Sequence, residues 1–167
     1  EARLVRSWLP AMPEVMARLQ AGGRALDIGC GTGVVPVTLA KAFPTATVAG
    51  LDIDAPSIDI ARGYARDAGL GERVQFLAQP LEALPAEPGW DFISTFDVMH
   101  DLPDPVAAMK HIRRALNDGG TYLMVEPKVG DDLQSNLANP FARMFYGISC
   151  LHCVPQSLAQ GGIGLGA

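Results

Sequence analysis

The sequence predicts an α/β domain in which a parallel sheet is covered by helices on both faces. Five short apolar runs recur at intervals of about 20 to 30 residues, with helical patterns or loops between them. The runs are rich in Val, Ile, Leu and Phe without clean alternation, which is typical of parallel strands buried on both faces. These predicted strands are Ala25–Ile28, Ala46–Leu51, Val74–Leu77, Phe92–Phe96 and Tyr122–Val125.

Apolar residues at three- and four-residue spacing predict crossover helices between these strands. In the helix before the third strand, Pro56 suits the first turn and Gly69 ends the apolar pattern. In the helix before the fifth strand, Asp104 is the expected N-cap, Pro105 the first helical residue and Gly119 the end.

The chain is expected to divide into three parts. The segment after the fifth strand, from Asp131 to Cys153, has a helical pattern that is interrupted at Asn139-Pro140 and closed by Val154-Pro155. The predicted parts are a helical lead-in at residues 1–22, a core at residues 23–128 and an apolar helical insertion or lid at residues 129–167.

Composition and charge exclude several classes of protein. The 167 residues carry 13 basic and 18 acidic side chains, and this net charge of −5 offers no basic field for a nucleic acid backbone. No apolar run is long enough to span a bilayer. The three cysteines are too few for a disulfide scaffold, and there is no signal-type segment, so a reduced cytoplasmic setting is expected.

The strongest local motif is LDIGCGTG, residues 26–33, between the first strand and the helix that begins near Val34. Glycines there let the backbone approach a ligand, and the helix N-terminus offers unpaired N–H groups. A dinucleotide fingerprint would need a glycine at the position of Val34, which disfavours a nicotinamide oxidoreductase. At the end of the second strand, Asp52 is placed to accept hydrogen bonds from ribose hydroxyls, so the pattern predicts a nucleoside site. A plain strand-to-helix turn and a solvated loop carboxylate are the structural alternatives.

Residues 24–128 resemble the class I S-adenosylmethionine-dependent methyltransferases. The resemblance implies a Rossmann-like parallel sheet of order 3-2-1-4-5 with flanking helices, and the chain is expected to stop before strands 6 and 7 of that fold. The motifs that carry it, in family order, are LDIGCGTG, GLDID, RVQFLAQPLEALP, DFISTFDVMHDLPDP and LNDGGTYLMVEP.

The resemblance implies a binding site for S-adenosyl-L-methionine. In this family the loop glycines border the methionine moiety and Asp27 helps to hold its amino group. Asp52 would take the ribose, and Ile53 would pack against adenine. The adenine-contacting Asp of many members is replaced by Pro80, so either Gln79 or backbone groups take its place or the contact is missing. The implied cofactor residues are Asp27, Gly29, Cys30, Gly31, Gly33, Asp52, Ile53, Gln79, Pro80, Leu81 and Phe96.

One histidine is the candidate catalytic base. The segment MHDLPD resembles the His-Asp-Trp-x-Asp segment of small-molecule O-methyltransferases, whose His is the base, and this implies that role for His100. Leu102 replaces the Trp, and the alternative is a His that belongs to a helix-capping turn. Asp97 and Asp101 are interpreted as loop or capping residues. Glu126 is expected to orient the base, to bind substrate or to cap the next helix.

The last part of the chain leaves two interpretations open. Cys150-Leu151-His152-Cys153 offers three ligands at most and no second pair, so no metal site is predicted and apolar packing is expected. The stretch F-Y…CVP-x-SLAQ is similar to one in bacterial methyltransferases with an N-terminal winged-helix domain. It is expected either to cover the acceptor pocket, with Phe145, Tyr146 and His152 as wall residues, or to pack on another domain or a second copy.

The predicted function is transfer of a methyl group from S-adenosylmethionine to a small-molecule acceptor, at a hydroxyl oxygen. The alternative is a regulatory or sensor protein that binds S-adenosylmethionine without methyl transfer. The expected partners are a small-molecule acceptor and a second copy of the protein, joined through regions outside this chain. Neither nucleic acid nor membrane is an expected partner.

Overall fold

A computed structural model describes residues 3–130 and 132–166 of the chain. Within these residues, five strands form one sheet of order β3-β2-β1-β4-β5, which confirms the predicted topology. The strands are β1 (Arg24–Ile28), β2 (Thr47–Asp52), β3 (Val74–Ala78), β4 (Trp90–Phe96) and β5 (Leu116–Val125).

The register of the central strands sets where a ligand can bind. Strand β1 pairs in parallel with both β2 and β4, and Ile28 lies opposite Leu51 on one side and Thr95 on the other. Strand β2 pairs in parallel with β3. The carboxyl ends of these strands therefore lie at the same edge of the sheet, where open α/β sheets bind their ligands.

Helices join and flank the strands. Asp54 accepts a hydrogen bond from the Ser57 N–H at the start of the crossover helix α3. Asp104 accepts one from the Ala107 N–H before α4, as its predicted N-cap role requires. The α-helices are α1 (Pro13–Gln20), α2 (Val34–Ala42), α3 (Ala55–Asp67), α4 (Pro105–Ala115), α5 (Leu133–Asn136), α6 (Ala142–Ile148) and α7 (Val154–Ala159).

The helical segment after β5 does not end where the sequence predicts. A π-helical turn over Ser149–Cys153 leads directly into α7, so the expected closure at Val154-Pro155 is wrong. Pro155 lies in the first turn of α7, directly after this π-helical turn. Asp131, the predicted start of this segment, lies outside the described residues.

The chain packs as two compact units. The first unit comprises residues 1–95 and 110–123, and the second comprises residues 96–109 and 124–167. The three-part division at residues 22 and 128 stays a prediction. Among the described residues, no helix combines the length and the apolar character that a membrane span requires.

In the first unit, Asp91 ties together groups at the amino-terminal ends of β1 and β4. It accepts hydrogen bonds from the Arg24 N–H at 2.9 Å, from Arg18 Nη1 at 3.1 Å and from Asn117 Nδ2 at 3.1 Å. Burial alone would raise the pKa of Asp91, but these three donors outweigh it and hold the pKa below its usual range. This cluster lies at the sheet edge opposite the one where ligands bind.

Candidate active site

The glycine loop between β1 and α2 contains three left-handed residues. Gly29, Gly31 and Gly33 have φ angles of 68°, 50° and 83°, a region that residues with a Cβ rarely adopt. A Cβ on Gly33 would lie 2.8 Å from the Ala61 Cβ and 2.9 Å from the Phe76 ring. A Cβ on Gly31 would meet no atom within 4 Å. Gly33 is therefore needed for packing, whereas Gly31 borders open space that a ligand can enter.

Asp52, at the end of β2, is bonded to this loop. Its Oδ2 accepts a hydrogen bond from the Gly31 N–H at 2.8 Å, and its Oδ1 accepts one from the Asp54 N–H at 2.9 Å. A carboxylate has about four lone-pair sites, so two remain for the hydroxyls of a ligand. Ile53 follows with half of its surface exposed. The structure thus places Asp52, which is predicted to bind the ribose, against the glycine loop, with Ile53, which is predicted to contact the adenine, next to it in the chain.

Asp27, the last polar residue of β1, is buried and carries an unusual pKa. The Ser94 hydroxyl donates a hydrogen bond to its Oδ1 at 2.7 Å. Burial raises the pKa of Asp27 to about 7, the Ser94 bond partly opposes this rise, and the charge of Asp52 adds to it. A nearby cation would favour the ionised form, so this carboxyl suits a ligand with a positively charged group.

The other predicted cofactor residues divide between the two units. The Gln79 N–H donates to the Asp52 carbonyl at 3.0 Å, which holds the end of β3 beside β2. Pro80 is exposed, and Leu81 is buried at the start of a 3₁₀ turn. Burial raises the pKa of the Cys30 thiol, with Asp27 and Asp52 adding to the rise, so the thiol stays protonated. Phe96 ends β4 and belongs to the second unit.

In the second unit, Glu126 holds both His100 and the turn around it. His100 lies in the 3₁₀ turn Met99–Asp101 and is 7% exposed. Its Nδ1 is hydrogen-bonded to Glu126 Oε2. Glu126 Oε1 accepts from the Val98 N–H at 3.2 Å and the Met99 N–H at 2.9 Å. Glu126 therefore orients the imidazole, which is one of the roles expected for it from the sequence.

The Nε2 side of His100 faces a carboxylate and a thiol. Asp101 Oδ1 lies 3.3 Å from Nε2 and Asp97 Oδ1 lies 3.7 Å from it. One ligand atom each of His100, Asp101 and Cys153 lie within 4.8 Å of one another. Burial raises the pKa of the Cys153 thiol to about 11, and Asp101 and Asp97 add to the rise.

A cleft of about 320 Å³ in the second unit exposes the His100–Glu126 pair to an apolar surface. Three methionine side chains line it, together with proline and aliphatic residues. An apolar cleft with a few convergent polar groups is typical of a small-molecule site. The residues that line this cleft include Met99, His100, Met109, Met124 and Glu126.

Some residues of this site were not predicted from the sequence, and some predicted wall residues lie elsewhere. Ser94 and Cys153 were not predicted to contact site residues, although a polar Ser-Thr pair inside the buried run of β4 was a signal for Ser94. Among the described residues, Phe145, Tyr146 and His152 do not line this cleft. Tyr146 Oη instead accepts a hydrogen bond from Asn136 Nδ2 at 3.0 Å.

The chain that forms this site matches a known protein family. A family model for the methyltransferase domain matches residues 19–158. The chain is a methyltransferase domain. This confirms the predicted family, the class I S-adenosylmethionine-dependent methyltransferases.

Curated relatives of this methyltransferase domain are longer proteins. Methyltransferase GfsG from Streptomyces halstedii is 29% identical over 153 residues, which cover 88% of this chain and 55% of the relative. The ubiquinone biosynthesis O-methyltransferase of Bordetella pertussis is 33% identical over 102 residues, which cover 60% of this chain and 41% of the relative. The chain thus spans about half the length of these relatives or less.

Solved structures share the fold of the methyltransferase domain. A candidate sarcosine dimethylglycine methyltransferase from Galdieria sulphuraria has a TM-score of 0.66 at 24% identity, over 77% of this chain and 48% of that one. The [4+2]-cyclase SpnF has a TM-score of 0.58 at 27% identity, over 68% and 43%. PKMT2 from Rickettsia typhi in complex with AdoHcy has a TM-score of 0.55 at 24% identity, over 62% and 20%.

Proposed function

We propose that this domain transfers a methyl group from S-adenosylmethionine to a hydroxyl oxygen of a small organic acceptor. When bound, S-adenosylmethionine supplies an electrophilic methyl group on a positively charged sulfur. The observation that carries the choice of a protonated acceptor is the hydrogen-bonded pair of buried His100 and partly exposed Glu126 beside an apolar cleft. The ubiquinone biosynthesis relatives, which are named as O-methyltransferases, support the same choice.

The residues of the first unit fit this cofactor. A Cβ on Gly31 would find open space, so the loop leaves room for a ligand against its backbone. Asp27 and Asp52 bring two carboxyl groups to a site that would receive a sulfonium and an amino group. We propose that Asp27 holds the amino group, that Asp52 accepts from the ribose hydroxyls and that Ile53 packs on the adenine.

His100 would act as the general base for the acceptor. A phenol-type hydroxyl has a pKa of about 10, so it is mostly protonated at neutral pH and its proton must leave as the oxygen gains the methyl group. Because the Nδ1–H of His100 donates a hydrogen bond to Glu126, the lone pair of Nε2 is the one available to take the proton of the acceptor. Glu126 would then stabilise the imidazolium that forms.

The proposal is tested by measuring methyl transfer and cofactor binding on the same variants of the full-length protein. With a library of phenols as acceptors, His100→Gln should lower kcat at least 100-fold, because general bases contribute about 10²- to 10⁴-fold. Calorimetric binding of S-adenosylhomocysteine should be unchanged in His100→Gln and weakened in Asp52→Ala. Full activity of His100→Gln would refute the assignment of the base.

A cofactor-binding protein without methyl transfer is the second candidate. The exposed Pro80, where many members have an adenine-contacting Asp, favours a cofactor site that differs from that of active members. This candidate predicts calorimetric binding of S-adenosylhomocysteine together with no methylated product from any acceptor. Product formation that depends on His100 would reject it.

We also propose that the segment from Leu133 to Ala159 contacts a second copy of the protein. It carries exposed apolar side chains, and those of Met144, Ile148 and Leu151 recur at the four- and three-residue spacing of one helix face along α6 and the π-helical turn that follows it. The same segment is similar to one in bacterial methyltransferases that have an N-terminal winged-helix domain. This similarity supports the proposal that the full-length protein also has such a domain. The side chains are Leu137, Phe141, Met144, Ile148 and Leu151.

A further inference from the structure

Two groups beside His100 have no role in the proposed methyl transfer. Asp101 Oδ1 is buried and lies 3.3 Å from His100 Nε2 without a hydrogen bond of its own in the described part of the chain, while the Cys153 thiol interacts with the Asp101 carboxylate. Cys153 is 4% exposed, and its sulfur lies within 4.8 Å of the ligand atoms of both residues. A buried oxygen without a partner is costly unless something else satisfies it.

We propose that His100 Nε2, Asp101 Oδ1 and Cys153 Sγ bind a divalent transition-metal ion of the zinc type. An imidazole nitrogen, a carboxylate oxygen and a thiolate sulfur are the three ligand types that zinc takes from proteins. In a tetrahedral zinc site with ordinary bond lengths, the nitrogen and oxygen ligands are about 3.3 Å apart. The measured Nε2–Oδ1 distance of 3.3 Å already matches this value.

The surroundings of His100 also suit a metal ligand. Histidines that bind metals almost always donate their second ring N–H to a carboxylate or carbonyl, which fixes the tautomer, and Glu126 accepts from Nδ1 in this way. The carboxylate oxygens of Asp97, Asp101 and Glu126 all lie within 3.7 Å of a ring nitrogen of His100. A cation at Nε2 would offset this concentration of negative charge. Asp97 is mostly exposed, so the ion would be open to water on the side that faces Asp97.

The metal ion and the acceptor proton would compete for the same electron pair. A nitrogen that donates its lone pair to a metal cannot accept a proton from a hydroxyl group. This part of the inference rests on the proposed function, because it requires His100 to be the base. An occupied site would therefore inhibit methyl transfer, and removal of the ion would restore it.

Cobalt(II) tests the site without any need for enzyme activity. Bound to a thiolate, Co²⁺ gives a near-ultraviolet charge-transfer band, which assigns the ligand because the chain has only three cysteines. Wild-type protein and Cys150→Ser, a change at an exposed cysteine three residues away, should show the band. Cys153→Ser should lose it, and Asp101→Asn should bind Co²⁺ at least tenfold more weakly.

Absence of the band in wild-type protein would overturn the site, as would its loss in Cys150→Ser with retention in Cys153→Ser. Circular dichroism of each variant identifies any loss of the band that comes from unfolding, and Asp101→Asn then supplies the second test. Zn²⁺ should inhibit methyl transfer by the wild type at least tenfold more strongly than by Cys153→Ser. Metal binding with no such inhibition would overturn the competition alone. Failure of the methyl-transfer assay itself would leave the Co²⁺ result intact.

Discussion

At the scale of single residues, the two carboxyl groups near the glycine loop differ in what surrounds them. Asp52 is half-buried and accepts hydrogen bonds from two backbone N–H groups. Asp27 is 2% exposed and accepts a hydrogen bond from the Ser94 hydroxyl, and burial raises its pKa to about 7. Asp27 therefore titrates near neutral pH in the folded domain.

Stability should depend on pH through Asp27. Between pH 3.8 and about 7 the folded state binds this proton and the unfolded state does not, so stability falls as the pH rises through this range. A shift of about three pKa units corresponds to at most about 4 kcal/mol. Asp27→Asn should remove this loss, which urea unfolding at pH 5 and pH 8 can measure.

Ser94→Ala is the matched control. The Ser94 hydroxyl lowers the pKa of Asp27, so its removal should extend the loss of stability to higher pH. Equal pH profiles of wild type and Asp27→Asn would show that Asp27 is not the titrating group.

At the scale of elements, the loop between β1 and α2 contains two glycines with different roles, one needed for packing and one facing the ligand space. Gly33 is pressed against α3 and β3 through Ala61 and Phe76, whereas Gly31 borders open space. Sequence alone could place the loop, because the motif is local. It could not tell the two glycines apart, since Ala61 and Phe76 reach Gly33 only in the folded sheet.

The two glycines should respond differently to the same substitution. Gly33→Ala combines a left-handed φ with a steric clash and should destabilise the domain by about 3 kcal/mol, whereas Gly31→Ala should cost about 1 kcal/mol. Gly31→Ala should weaken S-adenosylhomocysteine binding instead, because its methyl group enters the ligand space. Urea unfolding and calorimetry separate the two effects, and equal losses of stability would contradict the assignment.

At the scale of the whole chain, the strand order and the glycine motif were predictable because strand periodicity and turn chemistry are local. The contacts that define the candidate chemistry were not. Ser94 lies 67 residues from Asp27 along the chain, and Cys153 reaches His100 across a helical segment whose end was predicted wrongly. Such pairings depend on tertiary packing, which neither composition nor spacing records.

Substitutions at the Asp91 edge of the sheet should change stability without changing ligand binding at the opposite edge. Asp91→Ala leaves the Arg24 N–H and two side-chain donors without their acceptor, so it should lower the free energy of unfolding by about 2 kcal/mol. The affinity for S-adenosylhomocysteine should not change. Asp59→Ala, which removes the exposed pair with Arg62, should cost less than about 0.5 kcal/mol. A change in affinity for Asp91→Ala would show that the two edges are coupled.

The hydrogen bonds that Asp52 accepts from Gly31 and Asp54 have a consequence for the speed of binding. They join the glycine loop to the end of β2 through the chain's own groups, so the loop loses its conformational freedom when the domain folds. A nucleoside that enters this site finds the loop already in place and does not bear the entropy of ordering it. Its association rate should then be governed by diffusional encounter and orientation, not by a slow rearrangement of the loop.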